Sequence, residues 1–158
     1  MTDWKKELAD LFEQQQQYEE EQNQKVKADA TAIKAKKEET NEFLCTVVDS
    51  ALRDLAIELY KHERKAYNFG GSEFSRELEV RFQDRIEFRY IIKVHVGTTT
   101  TATVHANYMA RYQNGHEEQG GGIIMKDNTQ PDIAKITKDD IINDFMKRYI
   151  GRVTPCSY

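Results

Sequence analysis

The chain has 158 residues, 39% of them hydrophobic and 32% charged, with a formal net charge of −4. That length closes one hydrophobic core, and the polar bias implies that one stretch stays out of it. Splitting the charge at Gly70 gives 11 Lys and Arg against 15 Asp and Glu before it, and 12 against 12 after it, so neither half has the basic excess that phosphate neutralisation requires and no nucleic-acid partner is expected.

From Thr2 to about Glu39 there is no proline or glycine, and Gln, Glu, Lys and Ala dominate. These are strong helix formers, so a long polar helix is predicted. Trp4, Leu8, Leu11 and Tyr18 fall at coiled-coil spacing, yet Gln15 and Gln22 occupy the seam positions between and after them, and Val26 and Ile33 alone continue it. Residues 1–39 therefore read as a solvated arm or weak coiled coil, with Trp4, Leu8, Leu11 and Tyr18 as its partner-binding or self-pairing positions. No apolar run reaches the 18 to 20 or so residues of a membrane span, and "MTDWKKELAD" lacks an apolar leader, so no membrane contact and a cytoplasmic location are expected.

The next segment, "TNEFLCTVVDSALRDLAIELYKHERKAY", sets Leu44, Val47, Val48, Ala51, Leu52, Leu55 and Leu59 on one stripe at steps of three and four. This is the predicted core helix. His62, Arg64 and Lys65 suit the negative end of its dipole, and "NFGG" is the predicted stop.

After Gly71 the period becomes two in "RELEVRF", "RIEFRYIIKVHV" and "TATVHANYMARYQ". Keeping apolar residues on one face pairs Leu78 with Tyr90, Val80 with Phe88 and Phe82 with Ile86 across "QDR", leaving Arg81–Glu87 and Glu79–Arg89 outside. The same rule pairs Val96 with Ala102, Val94 with Val104, Ile92 with Ala106, Tyr90 with Tyr108 and Phe88 with Ala110, with Glu87 meeting Arg111 outside. A two-residue Asn114-Gly115 turn then sets Arg111 opposite Glu118, Gly121 inward against Tyr108, and Ile123 and Met125 against Ala106 and Val104.

In that register Gly120, Gly121 and Gly122 lie inside a sheet. A phosphate loop would need a helix directly after them, whereas "IIMKD" follows and no helix starts before Thr137. The triplet is read as a bulge, or as the place where the Tyr108 ring lies across a strand without side chains. "TKDDIINDFMKRYIG" closes the domain as a helix, with a Thr137–Asp140 capping pair, an apolar face of Ile141, Ile142, Phe145, Met146, Tyr149 and Ile150, and Gly151 as its stop. The expected class is α+β: a four-stranded antiparallel meander covered on one face by helices and preceded by the long polar helix, with an arm at 1–39, a domain at 40–151 and a tail at 152–158.

Chemistry is sparse. His95 and His105 share the outer face with Lys93, Thr103 and Asn107, which is too few ligands for zinc, so no metal is expected. Cys45 and Cys156 have no CxxC spacing and read as free thiols, and no nucleophile motif occurs, so neither catalysis nor a cofactor is expected. A base-stacking sheet would need outward aromatics, whereas Phe82, Phe88, Tyr90, Tyr108 and Tyr112 all go inward in these registers. The leading expectation is a non-enzymatic interaction protein, a small scaffold or adaptor acting through the first helix. The alternative is a ligand-binding or hydrolytic domain whose pocket, between sheet and helices, is lined by Tyr90, Tyr108, Tyr112, Glu117 and Gln119.

Overall fold

A computed structural model describes residues 3–70, 74–97, 102–112, 115–126 and 129–153. Asn114, Cys156 and residues 154–158 of the expected tail lie outside these. In chain order the elements are helix α1 (Trp4–Phe43), a π-helical turn (Leu44–Val48), α2 (Asp49–Tyr60), strands β1 (Lys65–Gly70), β2 (Ser75–Phe82), β3 (Arg85–Val96), β4 (Ala102–Arg111) and β5 (Glu117–Ile123), a 3-10 turn (Ile133–Lys135) and α3 (Lys138–Val153). The chain divides into two units, Met1–Ala35 and Lys36–Tyr158.

In the first unit α1 is helical from Trp4 onward, as its uninterrupted run of helix formers requires. Taken by itself it leaves Trp4, Leu8, Leu11, Phe12, Tyr18 and Val26 exposed. The second unit opens with the last turns of α1, where Lys36 and Thr40 are buried. The Lys36 ammonium is taken up by Asp132 at 2.6 Å and Glu39 at 3.1 Å, and Asp132 also accepts the backbone N–H of Ala102, so one carboxylate joins helix, strand and 3-10 turn. The π turn adds a residue to the helical repeat without interrupting the buried stripe, which keeps Leu44, Val48, Leu52 and Leu55 in the core.

The sheet is antiparallel and has five strands in the order β1-β2-β3-β4-β5, not four. The extra strand is "KAYNFG", read from sequence as the end of the core helix. That helix stops at Tyr60 because Arg64 N–H reaches back to the Leu59 carbonyl and Glu63 N–H to that of Tyr60, with Glu63 at φ 65° where glycine is usual. The strand was hidden because its large residues point the wrong way. Ala66 and Asn68 pair with Val80 and Leu78 on the inner face, and Tyr67 and Phe69 stand exposed.

The pairing of β3 with β4 is the expected one from Phe88↔Ala110 to Val96↔Ala102. In the first hairpin Leu78↔Tyr90, Glu79↔Arg89 and Val80↔Phe88 are also as expected, but beyond them the register shifts to Arg81↔Ile86 and Phe82↔Arg85. The expected Phe82–Ile86, Arg81–Glu87 and Glu87–Arg111 pairs do not form. Gln83 and Asp84, at φ 53° and 62°, make a two-residue turn, and Glu87 is the extra residue of the resulting bulge.

The last hairpin differs by one residue from the sequence expectation. Tyr112 N–H donates to the His116 carbonyl and Gly115 N–H to that of Tyr112, with Gly115 at φ 85°, so three residues rather than two make the loop. Every partner in β5 then moves by one: Arg111↔Glu117, Tyr108↔Gly120, Asn107↔Gly121 and Ala106↔Gly122. The inner face of β5 therefore carries Glu118, Gly120 and Gly122, with buried Ile124 next in line and Met125 exposed. The glycines do lie in the ladder, and the Tyr108 ring does lie across one of them, which is Gly120.

One core cluster joins the inner sheet face to Leu44, Val48, Leu52, Leu55, Ile141, Phe145 and Tyr149. Phe145 meets Phe88 and Tyr90 edge-on at 5.6 and 5.3 Å between ring centres. The Thr137–Asp140 capping box forms at the head of α3, each residue's side chain accepting the other's backbone N–H. Gly151 does not end α3, which runs on to Val153.

Candidate functional site

The bulge at Glu87 creates the most unusual polar cluster of the second unit. A regular strand would send Glu87 to the outer face, opposite in sense to Phe88. As the extra residue of a bulge it turns inward instead and is buried at 6% exposure. There the Tyr149 hydroxyl donates to its carboxylate, and Arg64 donates from Nε and from a terminal nitrogen at 3.4 Å each. Burial, then the bond to Glu87 and its charge, push the Tyr149 phenol well above its ordinary value, so it stays protonated as a donor.

Tyr149 and Arg64 of this cluster also line a cavity of about 630 Å³ between α2 and α3. Leu55, Leu59, Ile142 and Met146 line its apolar walls beside Tyr149 and Arg64, with the more exposed Asp54, Glu58 and His62 at its rim. The rim acids are already paired, Asp54 with Lys138 and Glu58 with Lys61. The apolar face of α3 is wider than the sheet can use. Ile141, Phe145 and Tyr149 are spent on the core, whereas Met146, which lines the cavity, and Ile150 remain exposed.

The residues named from sequence as a tyrosine pocket fall into two groups. Tyr90, Tyr108 and Tyr112 share a region of the inner face, and each hydroxyl has a carboxylate of the chain as acceptor: Tyr90 donates to Asp144 at 2.5 Å, and Tyr108 and Tyr112 donate to Glu118 at 3.3 and 2.5 Å. Arg148 closes on Asp144, and Arg152 lies over the Tyr108 ring and donates to its oxygen. The Tyr112 bond, followed by Arg152 and Tyr108, keeps Glu118 below its ordinary carboxylate range although burial works against it. Burial and the Asp144 charge raise Tyr90. Glu117 and Gln119 are on the opposite, outer face of β5, where Glu117 pairs with Arg111, because of the one-residue register difference. Glu118 is the acidic residue that meets the tyrosines.

On the outer face His95 and His105 touch ring to ring at 4.1 Å, and burial followed by the neighbouring His95 lowers the His105 pKa. Among the described residues no group of three His, Cys, Asp or Glu converges to hold a metal ion. The outward arginines are paired with acids, Arg81 with Glu79 and Arg89 with Glu77 and Glu79. Cys45 is a free, exposed thiol. No helix of the described residues is long and apolar enough to cross a membrane.

Two features escaped the sequence reading. The α2–α3 cavity depends on which half of the α3 stripe the sheet takes, and that is a tertiary choice. Phe12 belongs with Leu8, one helical turn on, but a strict heptad count passes over it. No protein-family model, no curated protein and no solved structure matches this chain.

Proposed function

We propose that this is a non-enzymatic interaction protein in which the folded unit, its sheet roofed by α2 and α3, carries a helix that binds a protein surface. The single observation that carries this reading is the apolar stripe of α1: Trp4, Leu8, Leu11, Phe12 and Tyr18 lie on one side of the helix and are each 43–64% exposed. Isolated exposed apolar residues need no explanation, but five on one stripe, one of them tryptophan, are what a helix presents to a groove or a second helix. The tyrosine-lined pocket is the weaker reading, since the hydroxyls that would orient a ligand already serve Asp144 and Glu118.

The test is sedimentation of the full chain across a wide concentration range, beside a Leu8→Glu/Leu11→Glu variant. Wild type is expected to associate and the variant to stay monomeric, with identical thermal unfolding of the folded unit. If wild type is monomeric throughout and residues 4–18 retain no protein partner, the reading is wrong.

A further inference from the structure

We propose that His95 and His105 form a solvent-open site for a divalent transition-metal ion, with copper(II) held before nickel(II) and zinc(II). The register is the first argument. His95 faces Thr103 and Lys93 faces His105, so the two histidines are diagonal neighbours on the outer face of β3 and β4, within reach of each other's side chains. The strands beneath them are fixed, because Val94, Val104 and Ala106, their neighbours in sequence, are buried on the inner face. The rings touch, with centres 4.1 Å apart and planes at 72°. Two nitrogens held on one ion at about 2.0–2.1 Å lie about 3 Å from each other, a spacing these rings reach by rotating about their own side-chain bonds. Both ligands are thus brought together before an ion arrives, and little ordering remains for binding to impose.

Ligand chemistry is the second argument. Two nitrogens fall short of the four ligands that close a structural zinc site, and among the described residues no third His, Cys, Asp or Glu converges on the pair. That selects the ion that holds imidazole most tightly and takes water in its other positions. In the first-row order affinity peaks at copper(II), whose tetragonal geometry two imidazoles and water satisfy. Thr103 Oγ1 lies 3.4 Å from Nε2 of His105. With the ion on Nδ1, Nε2 carries the proton and donates to Thr103, the kind of outer bond that orients a ligating ring. Lys93, opposite His105, carries the charge that opposes a cation, but it is exposed and its ammonium is free to move into water as the ion binds.

The experiment titrates copper(II) chloride into the full chain, followed by calorimetry and by electron paramagnetic resonance. It compares wild type, His95→Gln, His105→Gln and a control, His62→Gln/His116→Gln, that removes the other two histidines. His95 is exposed and His105 half-buried on the outer face, so neither substitution enters the core. Wild type and control are expected to bind one ion through two nitrogens, with nickel(II) and zinc(II) binding more weakly. Each single variant is expected to weaken that site at least about tenfold and to leave one nitrogen on the ion. Unchanged binding in His95→Gln or His105→Gln, a wild-type spectrum with fewer than two nitrogens, or loss of the site in the control would overturn the proposal and mark the ion as adventitious.

Discussion

Phe145→Ala should lower the unfolding free energy by about 3–5 kcal/mol, a large share of the roughly 5–15 kcal/mol typical of a domain. Phe145 has no exposed surface, and three rings converge on it: Phe88 and Tyr90 edge-on and Tyr149 stacked at 5.2 Å. Truncation removes the transfer energy of the ring, opens a cavity that three rigid neighbours cannot collapse into, and forfeits aromatic contacts worth about 0.5–1.5 kcal/mol each. The loss would propagate, because Tyr149 stacked on Phe145 also holds Glu87 and Tyr90 beneath it is fixed by Asp144. Met146→Ala, one residue on and facing out, should cost under about 1 kcal/mol. Urea unfolding at constant m checks both. Equal losses at the two positions would mean that α3 is rotated from its position here.

The glycine triplet gives the second large effect, and its order is diagnostic. A Cβ on Gly121 would lie 2.6 Å from the Ala106 carbonyl oxygen and within contact of Asn107, backbone included, so Gly121→Ala should destabilise by about 2–3 kcal/mol. On Gly120 it would meet the Tyr108 ring at 2.7 Å, a side chain that can swing only by leaving Arg152 and Glu118, so about 1–2 kcal/mol is expected. On Gly122 it meets nothing within 4 Å, so Gly122→Ala should be neutral within about 0.5 kcal/mol. Adding Tyr108→Ala should remove most of the extra cost at Gly120 and none of it at Gly121, which a double-mutant cycle measures. With a two-residue Asn-Gly loop, Gly120 would face outward and Gly120→Ala would show no coupling to Tyr108.

How much of this was readable in the residues follows from how many independent signals each element offered. The β3–β4 register was legible because both strands alternate apolar and polar residues over their whole lengths, and a slip would expose every one of them. β5 has no such alternation before Ile123, so its register rested on turn chemistry alone. The turn signals misled in both hairpins. The bond from Tyr112 to His116 closes a loop one residue longer than an Asn-Gly turn implies, whereas the true two-residue turn is Gln83-Asp84, where Asp84 tolerates a positive φ but Gln83 gives no such signal. Glu63 stops α2 in the left-handed region without glycine, so the helix boundary and β1 were lost together. The Glu87 bulge needed knowledge that Tyr149 and Arg64 wait on the inner side, which only tertiary packing supplies. The capping box of α3 and the helical arm, both local, were plain. The α1 stripe, as the candidate binding element, was legible apart from Phe12, and the α2–α3 cavity was not.

Trp4 is the sole tryptophan, so its emission reports the exposed apolar stripe of α1 without interference. On dilution of the full chain at constant salt, the spectrum should move to the red as Trp4 passes from an apolar protein contact into water, and Leu8→Glu/Leu11→Glu should show the red spectrum at every concentration. An emission maximum that is the same at all dilutions and in both proteins would contradict the account.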